Sequence, residues 1–308
     1  MHCSVNTRPY RILSIDGGGI RGIYTSRLLR QMEEVLAFDC CNQMDLVMGT
    51  STGTLIAAGL ACGVPAAELE KAYREIGHAI FFFRPLRMLM ALVMSRYSDR
   101  RLKEHLHDLF GDKTLGDAKM RIWLPVMDIE HGRTKFFKSD NPEHHHYLIR
   151  DLVHAACAAQ TFFKPVEIEG HLYVDAGLWA YNPGLVAATY LRNHACISFE
   201  QMHILSLGSG RSTRYYAPED FGLLDYVAGW GLATRWREQR FINMVLNMQG
   251  EIAQNMLETL IPQNQRVRIS FEAHRDLWLD DPDECDFLIE QADRDFKRHR
   301  RALEQFFA

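Results

Sequence analysis

Residues 49–53 read Gly-Thr-Ser-Thr-Gly and place one serine between two glycines. A short apolar run, residues 45–48, precedes them, and an apolar run typical of a packed helix, residues 54–62, follows. A strand, Gly-x-Ser-x-Gly and a helix form a nucleophile elbow, a sharp turn that exposes the serine hydroxyl at the end of the strand. Gly49 and Gly53 permit that turn, and the first N–H groups of the helix face the hydroxyl. The pattern predicts Ser51 as the nucleophile of an acyl-transfer reaction.

A second glycine turn lies upstream, at residues 16–22, between a predicted strand (11–15) and a predicted amphipathic helix (24–37). Two consecutive strand–turn–helix units are expected to place their strands side by side and parallel. Both glycine turns then lie at the carboxyl edge of one sheet, where open α/β sheets bind ligands. We therefore expect backbone N–H groups of the first turn to face the carbonyl group that Ser51 attacks.

The first turn also matches the dinucleotide-binding fingerprint, with glycines at 17, 19 and 22. That function requires an acidic residue at the end of the second strand to bind a ribose. Here the second strand ends at Met48 and the serine turn. A non-catalytic nucleotide-binding module therefore stays as an alternative that lacks one of its expected residues.

Two further predicted strands end in polar side chains. Strand 172–174 leads into Asp175, followed by Ala176 and Gly177, so this carboxylate is placed in the way that Ser51 is placed. Strand 203–207 leads to Ser209, which lies between two glycines. No helix pattern follows Ser209, so we interpret it as part of a strand-end turn rather than as a second nucleophile.

The composition is that of a soluble globular enzyme: 308 residues, 47% hydrophobic and 24% charged, with a formal net charge of −4. The absence of a basic stripe argues against a nucleic-acid polymer as partner. Seven scattered cysteines without a C-x-x-C pair indicate reduced thiols. The first nine residues lack a signal-peptide core and no apolar run reaches 18 residues, so we expect a cytoplasmic protein that spans no membrane.

No linker, repeat or low-complexity tract divides the chain, so we expect one domain over residues 1–308. The motifs lie within about residues 10–210, and a helical part follows over 211–308. The histidines at 105 and 107 are interpreted as surface residues, because histidines two apart on a helix point to different faces. Those at 144–146 lie in a predicted loop that contains Pro and Asn and are interpreted as solvated. We predict no metal site and no cofactor.

The most apolar segment, residues 79–97, contains three adjacent phenylalanines and arginines at 84, 87 and 96. Two interpretations stay open: a core helix, or a flap over the site that touches lipid. Exposed apolar surface edged by arginine suits an anionic membrane. Under the second interpretation, Phe82 and Leu89 are the candidate membrane contacts.

Together, segments 16–22 (DGGGIRG), 49–53 (GTSTG) and 175–177 (DAG) resemble the motifs of the patatin-like phospholipase family. The small-residue block at 158–165 fits the same order. The resemblance implies an α/β fold, a three-layer sandwich with a largely parallel central sheet. One position departs from the family pattern. If Ala176 needed a positive φ, it would strain the turn and affect where Asp175 points.

The resemblance also implies a reaction of the phospholipase A type, in which a membrane phospholipid gives a free fatty acid and a lysolipid. A Ser51–Asp175 dyad would act without a histidine, through an acyl-enzyme that water hydrolyses. Gly18 and Gly19 would supply oxyanion N–H groups, on a loop that Arg21 braces. Desolvation in an acyl-binding cleft would raise the pKa of Asp175 into the range of an efficient base.

The compact chain also resembles the bacterial phospholipases of this family that act as effectors in anti-phage signalling. Those enzymes are switched on by cyclic dinucleotides. The resemblance therefore implies a cyclic dinucleotide activator and peripheral action at the inner membrane surface. Arginines at 235, 237 and 240 are candidate phosphate partners. A solvated helix face is the alternative interpretation of these three side chains.

A Ser-His-Asp hydrolase of the ordinary α/β kind is the other catalytic alternative. It requires a histidine late in the chain, for which His274 and His299 are candidates. Its nucleophile normally follows several strands, whereas here one predicted strand precedes the serine strand. The sequence therefore favours the dyad.

Overall fold

The computed structural model describes residues 8–80, 95–220, 222 and 238–308. Phe82 and Leu89 lie outside the described residues, as do the arginines at 84, 87, 235 and 237. Within the described ranges, no helix is both long and apolar enough to cross a membrane.

Strands and helices alternate along most of the described chain. The strands are β1 (Tyr10–Ile15), β2 (Leu46–Gly49), β3 (Ile122–Asp128), β4 (Arg133–Lys138), β5 (Val166–Ile168), β6 (His171–Asp175), β7 (Met202–Leu207), β8 (Arg211–Ser212), β9 (Arg266–Ile269) and β10 (Glu272–Ala273). The helices are α1 (Gly22–Leu36), α2 (Cys40–Gln43), α3 (Thr52–Ala61), α4 (Ala66–Ile80), α5 (Arg100–Phe110), α6 (Ile149–Ala156), α7 (Gly177–Ala180), α8 (Gly184–His194), α9 (Glu238–Leu260) and α10 (Cys285–Phe307).

The central sheet has the strand order β5-β6-β3-β2-β1-β7-β9, with β4 also paired to β3. β1 lies between β2 and β7 and is parallel to both, and β9 extends this parallel part beyond β7. β3 is parallel to β2 but antiparallel to β4 and β6. The predicted parallel pairing of the first two strands is therefore confirmed.

Side chains of the strands enter two separate cores, one on each face of the sheet. In β1, Leu13 and Ile15 pack with α1, α3, α4, α5, α6 and α10, whereas Ile12 packs with α8 and the end of α9. Successive side chains of a strand point to opposite faces. Consecutive apolar residues therefore need helices on both faces, and the expected three-layer α/β arrangement is confirmed.

Some elements differ from the sequence-based expectation. β5 was not predicted, because three residues are too few to show an alternating pattern. The part expected to be helical, residues 211–308, also contains the strands β8, β9 and β10, which at two to four residues are likewise too short to show a pattern. The long described helices of this part are α9 and α10.

Candidate active site

Ser51 lies at the sharp turn between β2 and α3. Its backbone has φ 54° and ψ −131°, a conformation that non-glycine residues rarely adopt and that stores strain. A Cβ atom at Gly49 would lie 2.0 Å from the carbonyl oxygen of Gly53, and one at Gly53 would lie 2.6 Å from that of Asp16. Only glycine fits at both positions, so these close backbone contacts hold the elbow in shape.

Asp175 meets Ser51 because two strands run toward each other along one edge of β3. Trp123 of β3 pairs with Met48 of β2, and Val126 of β3 pairs with Asp175 of β6. β4 occupies the other edge of β3 at both positions. Since β2 is parallel to β3 and β6 is antiparallel, the carboxyl ends of β2 and β6 face each other. The register of the sheet thus brings the elbow and the carboxylate together.

The Asp175 carboxyl is buried, with 3% of the residue exposed. Burial raises its pKa from 3.8 to about 6, and hydrogen bonds from the Ser51 side chain and the Gly177 N–H oppose that rise. The Gly177 N–H donates to Oδ1 over 2.7 Å. Gln160 Nε2 donates to the Asp175 carbonyl oxygen over 2.9 Å and fixes the backbone. A carboxylate with this pKa beside a serine hydroxyl has the properties of a general base at neutral pH.

Ala176 causes none of the strain considered from the sequence. Its backbone has φ −83° and ψ −1°, an ordinary right-handed conformation. Its side chain is buried at the start of α7. The position therefore accepts alanine, and the direction of Asp175 is set by the hydrogen bond from Gly177.

The first glycine turn lies against the elbow, since a Cβ atom at Gly17 would be 3.2 Å from the Cβ of Ser51. The N–H groups of Gly17 and Ile20 donate to backbone carbonyl oxygens elsewhere in the chain. Within the described residues, no acceptor binds the N–H of Gly18 or Gly19, and both residues line the cavity above Ser51. These two N–H groups are the ones to which the family resemblance gives the oxyanion role.

Arg21 braces the glycine turn from behind. Its buried guanidinium donates to the carbonyl oxygens of Gly18 (3.3 Å) and Gly210 (3.2 Å) and to the Tyr181 hydroxyl (2.7 Å). It does not line the Ser51 cavity. Its contacts therefore match a positioning role rather than direct contact with an oxyanion.

An apolar cavity, which we call the Ser51 cavity, opens over Ser51 and Asp175. It has about 1170 Å³ of empty space, part of it open to solvent. Its wall includes aromatic and aliphatic side chains that follow α6, lie on α7 and α9, or precede α10: Phe162, Phe163, Leu178, Phe241, Ile242, Leu246 and Leu279. A concave apolar space with a few polar groups suits an acyl chain.

The competing residues proposed from the sequence lie elsewhere. Ser209 is buried, and its hydroxyl donates to the Gly17 carbonyl oxygen over 2.7 Å. His274 is hydrogen-bonded to Thr213, and the His299 ring to a carbonyl oxygen of α10. None of the three lines the Ser51 cavity, nor does any other histidine that the structure describes.

The sequence did not predict the partner of Asp16. Arg268 of β9 donates to both carboxyl oxygens of Asp16, over 3.0 and 2.5 Å, and to Ser206 Oγ over 2.7 Å. Burial raises the pKa of Asp16, and the Arg268 charge opposes that rise. The pair links the glycine turn to a strand 252 residues away. No local pattern marks an arginine in a strand as the partner of a distant carboxylate.

Other charged candidates are already paired. Arg240 forms an ion pair with Asp276 at 2.6 Å. Asp128, Glu130 and His131 bring three ligand-type atoms within 4.8 Å of one another, but His131 Nδ1 and Asp128 Oδ2 bond each other at 2.9 Å. Exposed acidic groups of this kind are common without an ion, and none of these residues lines the Ser51 cavity.

Known proteins share sequence with this chain over most of its length. The family described as patatin-like phospholipases matches residues 13–188, which include all three motifs. A cGAMP-activated phospholipase of Pseudomonas aeruginosa is 30% identical over 267 residues, covering 83% of this chain and 76% of that protein. A cUMP-AMP-activated phospholipase of Escherichia coli is 25% identical over 283 residues, covering 86% and 82%. The crystal structure of VipD from Legionella pneumophila matches 94% of this chain and 66% of that one, with a TM-score of 0.48 and 11% identity. The family match and the relative at 30% identity show that the chain belongs to the patatin-like phospholipase family.

Proposed function

We propose that this phospholipase cleaves acyl esters of membrane phospholipids with Ser51 and Asp175 as a catalytic dyad. The observation that carries the proposal is that Ser51 and the buried Asp175 line the same apolar cavity, with the Ser51 side chain near enough to the carboxyl to oppose the rise in its pKa. The products are a free fatty acid and a lysolipid.

Asp175 takes the proton of Ser51 Oγ as that oxygen attacks the ester carbonyl carbon. The carbonyl oxygen becomes an oxyanion and accepts hydrogen bonds from Gly18 and Gly19, each worth about 3–4 kcal/mol when well placed. Asp175 then gives the proton to the leaving alcohol oxygen as the ester C–O bond breaks. Water attacks the acyl-enzyme by the same route, and Ser51 regains its proton.

Mass spectrometry of fatty acids and lysolipids released from mixed phospholipids tests the dyad. Ser51→Ala and Asp175→Asn should each abolish turnover, and the double variant should be little worse than either, because the two residues act as a unit. The double variant His274→Ala, His299→Ala is the control and should keep full activity. A fluorophosphonate should label wild type at Ser51. Most of the activity surviving in Asp175→Asn would show that the dyad is wrong.

We also propose that the protein acts peripherally at a membrane, with Phe82 and Leu89 in contact with lipid. The apolar Ser51 cavity supports this, since its substrate must leave a bilayer to enter it. Replacing both residues with Ser should lower hydrolysis of vesicles more than hydrolysis of a soluble short-chain ester. Equal losses on both substrates, together with lower thermal stability, would assign the segment to the core.

Finally, we propose that a cyclic dinucleotide activates the enzyme in anti-phage defence. The support is the similarity to relatives named as cGAMP-activated and cUMP-AMP-activated phospholipases. The test measures phospholipid hydrolysis by purified protein with and without a panel of cyclic di- and trinucleotides. Full activity in the absence of every nucleotide, unchanged when each is added, would contradict the proposal.

A further inference from the structure

A second cleft, which we call the polar cleft, adjoins the Ser51 cavity at Tyr181, a residue that lines both. It has about 760 Å³ of empty space, part of it open to solvent. Its wall includes Arg211 and Arg268 and, from α9, Asn247 and Gln254. Charged and amide groups of this kind suit a polar ligand rather than an acyl chain.

The two arginines of the polar cleft keep part of their surface exposed. Arg268 is paired with Asp16, and 25% of its side chain is exposed. Arg211 is 41% exposed and pairs with Glu251 at 2.9 Å and with Glu272. Both glutamate side chains are more than half exposed, and ion pairs this exposed contribute little to stability. A phosphate can therefore replace one glutamate on Arg211, because guanidinium groups bind phosphate oxygens through paired hydrogen bonds.

Asn247 gives independent evidence for a ligand. The residue is 8% exposed, and among the residues that the structure describes its side-chain amide nitrogen has no hydrogen-bond partner. A buried amide without a partner destabilises a fold, since it has lost its hydrogen bonds to water without replacement. Asn247 lies on the wall of the polar cleft, and its amide nitrogen is itself buried. An acceptor group from outside the chain can supply the missing bond when the side chain turns toward the cleft.

The same helix connects the polar cleft to the catalytic groups. On α9, Leu246 lines the Ser51 cavity and Asn247 lines the polar cleft. Gln249, two residues further on, accepts a hydrogen bond from the backbone at 181 (2.7 Å) and donates one to the backbone at 179 (2.9 Å). Residue 179 lies in α7 and residue 181 directly follows it, so both are within six residues of Asp175. A ligand that contacts α9 therefore acts on the segment that carries the general base.

We propose that the polar cleft binds the cyclic dinucleotide activator, with a phosphate on Arg211 and a base edge on Asn247. The assignment rests on the activation proposed above and gives it a location. A phosphodiester is also present in lipid headgroups. The amides on the cleft wall favour the nucleotide, because the edge of a base presents donors and acceptors side by side on a flat ring.

Isothermal titration calorimetry of the full chain with cGAMP and cUMP-AMP tests this assignment. Arg211→Ala and Asn247→Leu should each weaken binding about tenfold or more, the loss expected for one hydrogen bond of this kind. Arg275→Ala is the matched control, because Arg275 is 46% exposed and pairs with Glu284 outside the cleft. Its affinity should equal that of wild type. Asn247→Leu should keep or raise the thermal midpoint without nucleotide, because it removes an unpaired buried amide.

Three outcomes would overturn the assignment. If wild type and both cleft variants bind a nucleotide equally, the activator binds elsewhere and activation itself stands. If neither nucleotide binds wild type, the activation proposal fails and the cleft assignment fails with it. The proposal that Ser51 hydrolyses phospholipids does not depend on this result, because the assay of released fatty acids tests it. The soluble headgroup glycerophosphoethanolamine is titrated in parallel. If wild type bound the headgroup and neither nucleotide, and both variants lost that binding, the cleft would be assigned to lipid.

Discussion

The pKa of Asp175 makes the pH dependence of catalysis a direct test of the dyad. Asp175 can accept the Ser51 proton only when it is ionised, and burial raises its pKa from 3.8 to about 6. Activity should therefore fall as the pH is lowered through 6. At pH 5 about one-tenth of the plateau should remain, whereas a base with an ordinary aspartate pKa would keep about nine-tenths. The assay measures kcat/KM on a soluble short-chain ester, so that vesicle binding does not affect the profile.

The same shift predicts how Asp175→Asn changes stability. A rise of about two pKa units means that the folded protein favours the neutral carboxyl by about 3 kcal/mol. Above pH 6 wild type therefore carries this cost, and Asp175→Asn should raise the free energy of unfolding by up to that amount. The thermal midpoint should rise by about 5 °C at pH 8. The gain should shrink between pH 6 and pH 4, where the folded wild type and then its unfolded chain become protonated.

Asp286→Asn is the control for both experiments, because the Asp286 side chain is 85% exposed. It should change neither the pH profile nor the midpoint. The reasoning would be refuted if kcat/KM of wild type fell only near pH 4. It would also be refuted if Asp175→Asn were less stable than wild type at pH 8.

Further predictions concern the parts that hold the site in place. Arg268→Met leaves Asp16 buried without its partner and should lower the free energy of unfolding by about 3–5 kcal/mol. Urea denaturation measures this loss. The double variant that also carries Asp16→Asn should recover part of it. Gly49→Ala places a Cβ atom 2.0 Å from a backbone oxygen and should abolish activity or folding. Gly132→Ala is the comparison, because a Cβ atom there has nothing within 4 Å; its φ of +61° should lower the free energy of unfolding by about 1–2 kcal/mol. Gln249→Ala removes the hydrogen bonds between α9 and the C-terminal end of α7 and should destabilise the fold by about 1–2 kcal/mol. It should also lower kcat more than it changes KM.

Much of the candidate site was predictable because its parts are local. The elbow depends on contacts between Gly49, Ser51 and Gly53 and on the strand and helix that flank them. Those features are set by residue type within a few positions of the chain. The glycine turn at 16–22 follows the same logic, so its position at the end of β1 was predicted as well.

The role of the C-terminal part was much less predictable. An amphipathic pattern shows that α9 buries one face, but not which surface covers that face. In the structure, Leu246 of α9 lines the Ser51 cavity and Asn247 lines the polar cleft. Neither position differs in its local sequence from an ordinary position of a packed helix.

The sequence by itself determined the alternation of strands and helices, the serine elbow and the glycine turn, because short-range sterics and periodicity dictate them. The tertiary structure alone decided that β6 runs toward β2 along the same edge of β3. That register places Asp175 against Ser51, and the burial that follows raises the pKa of Asp175. The tertiary structure also decided that Arg268 forms an ion pair with Asp16. Which strands share an edge, and how deeply a carboxyl is desolvated, depend on the packing of the whole chain, so no local pattern records them.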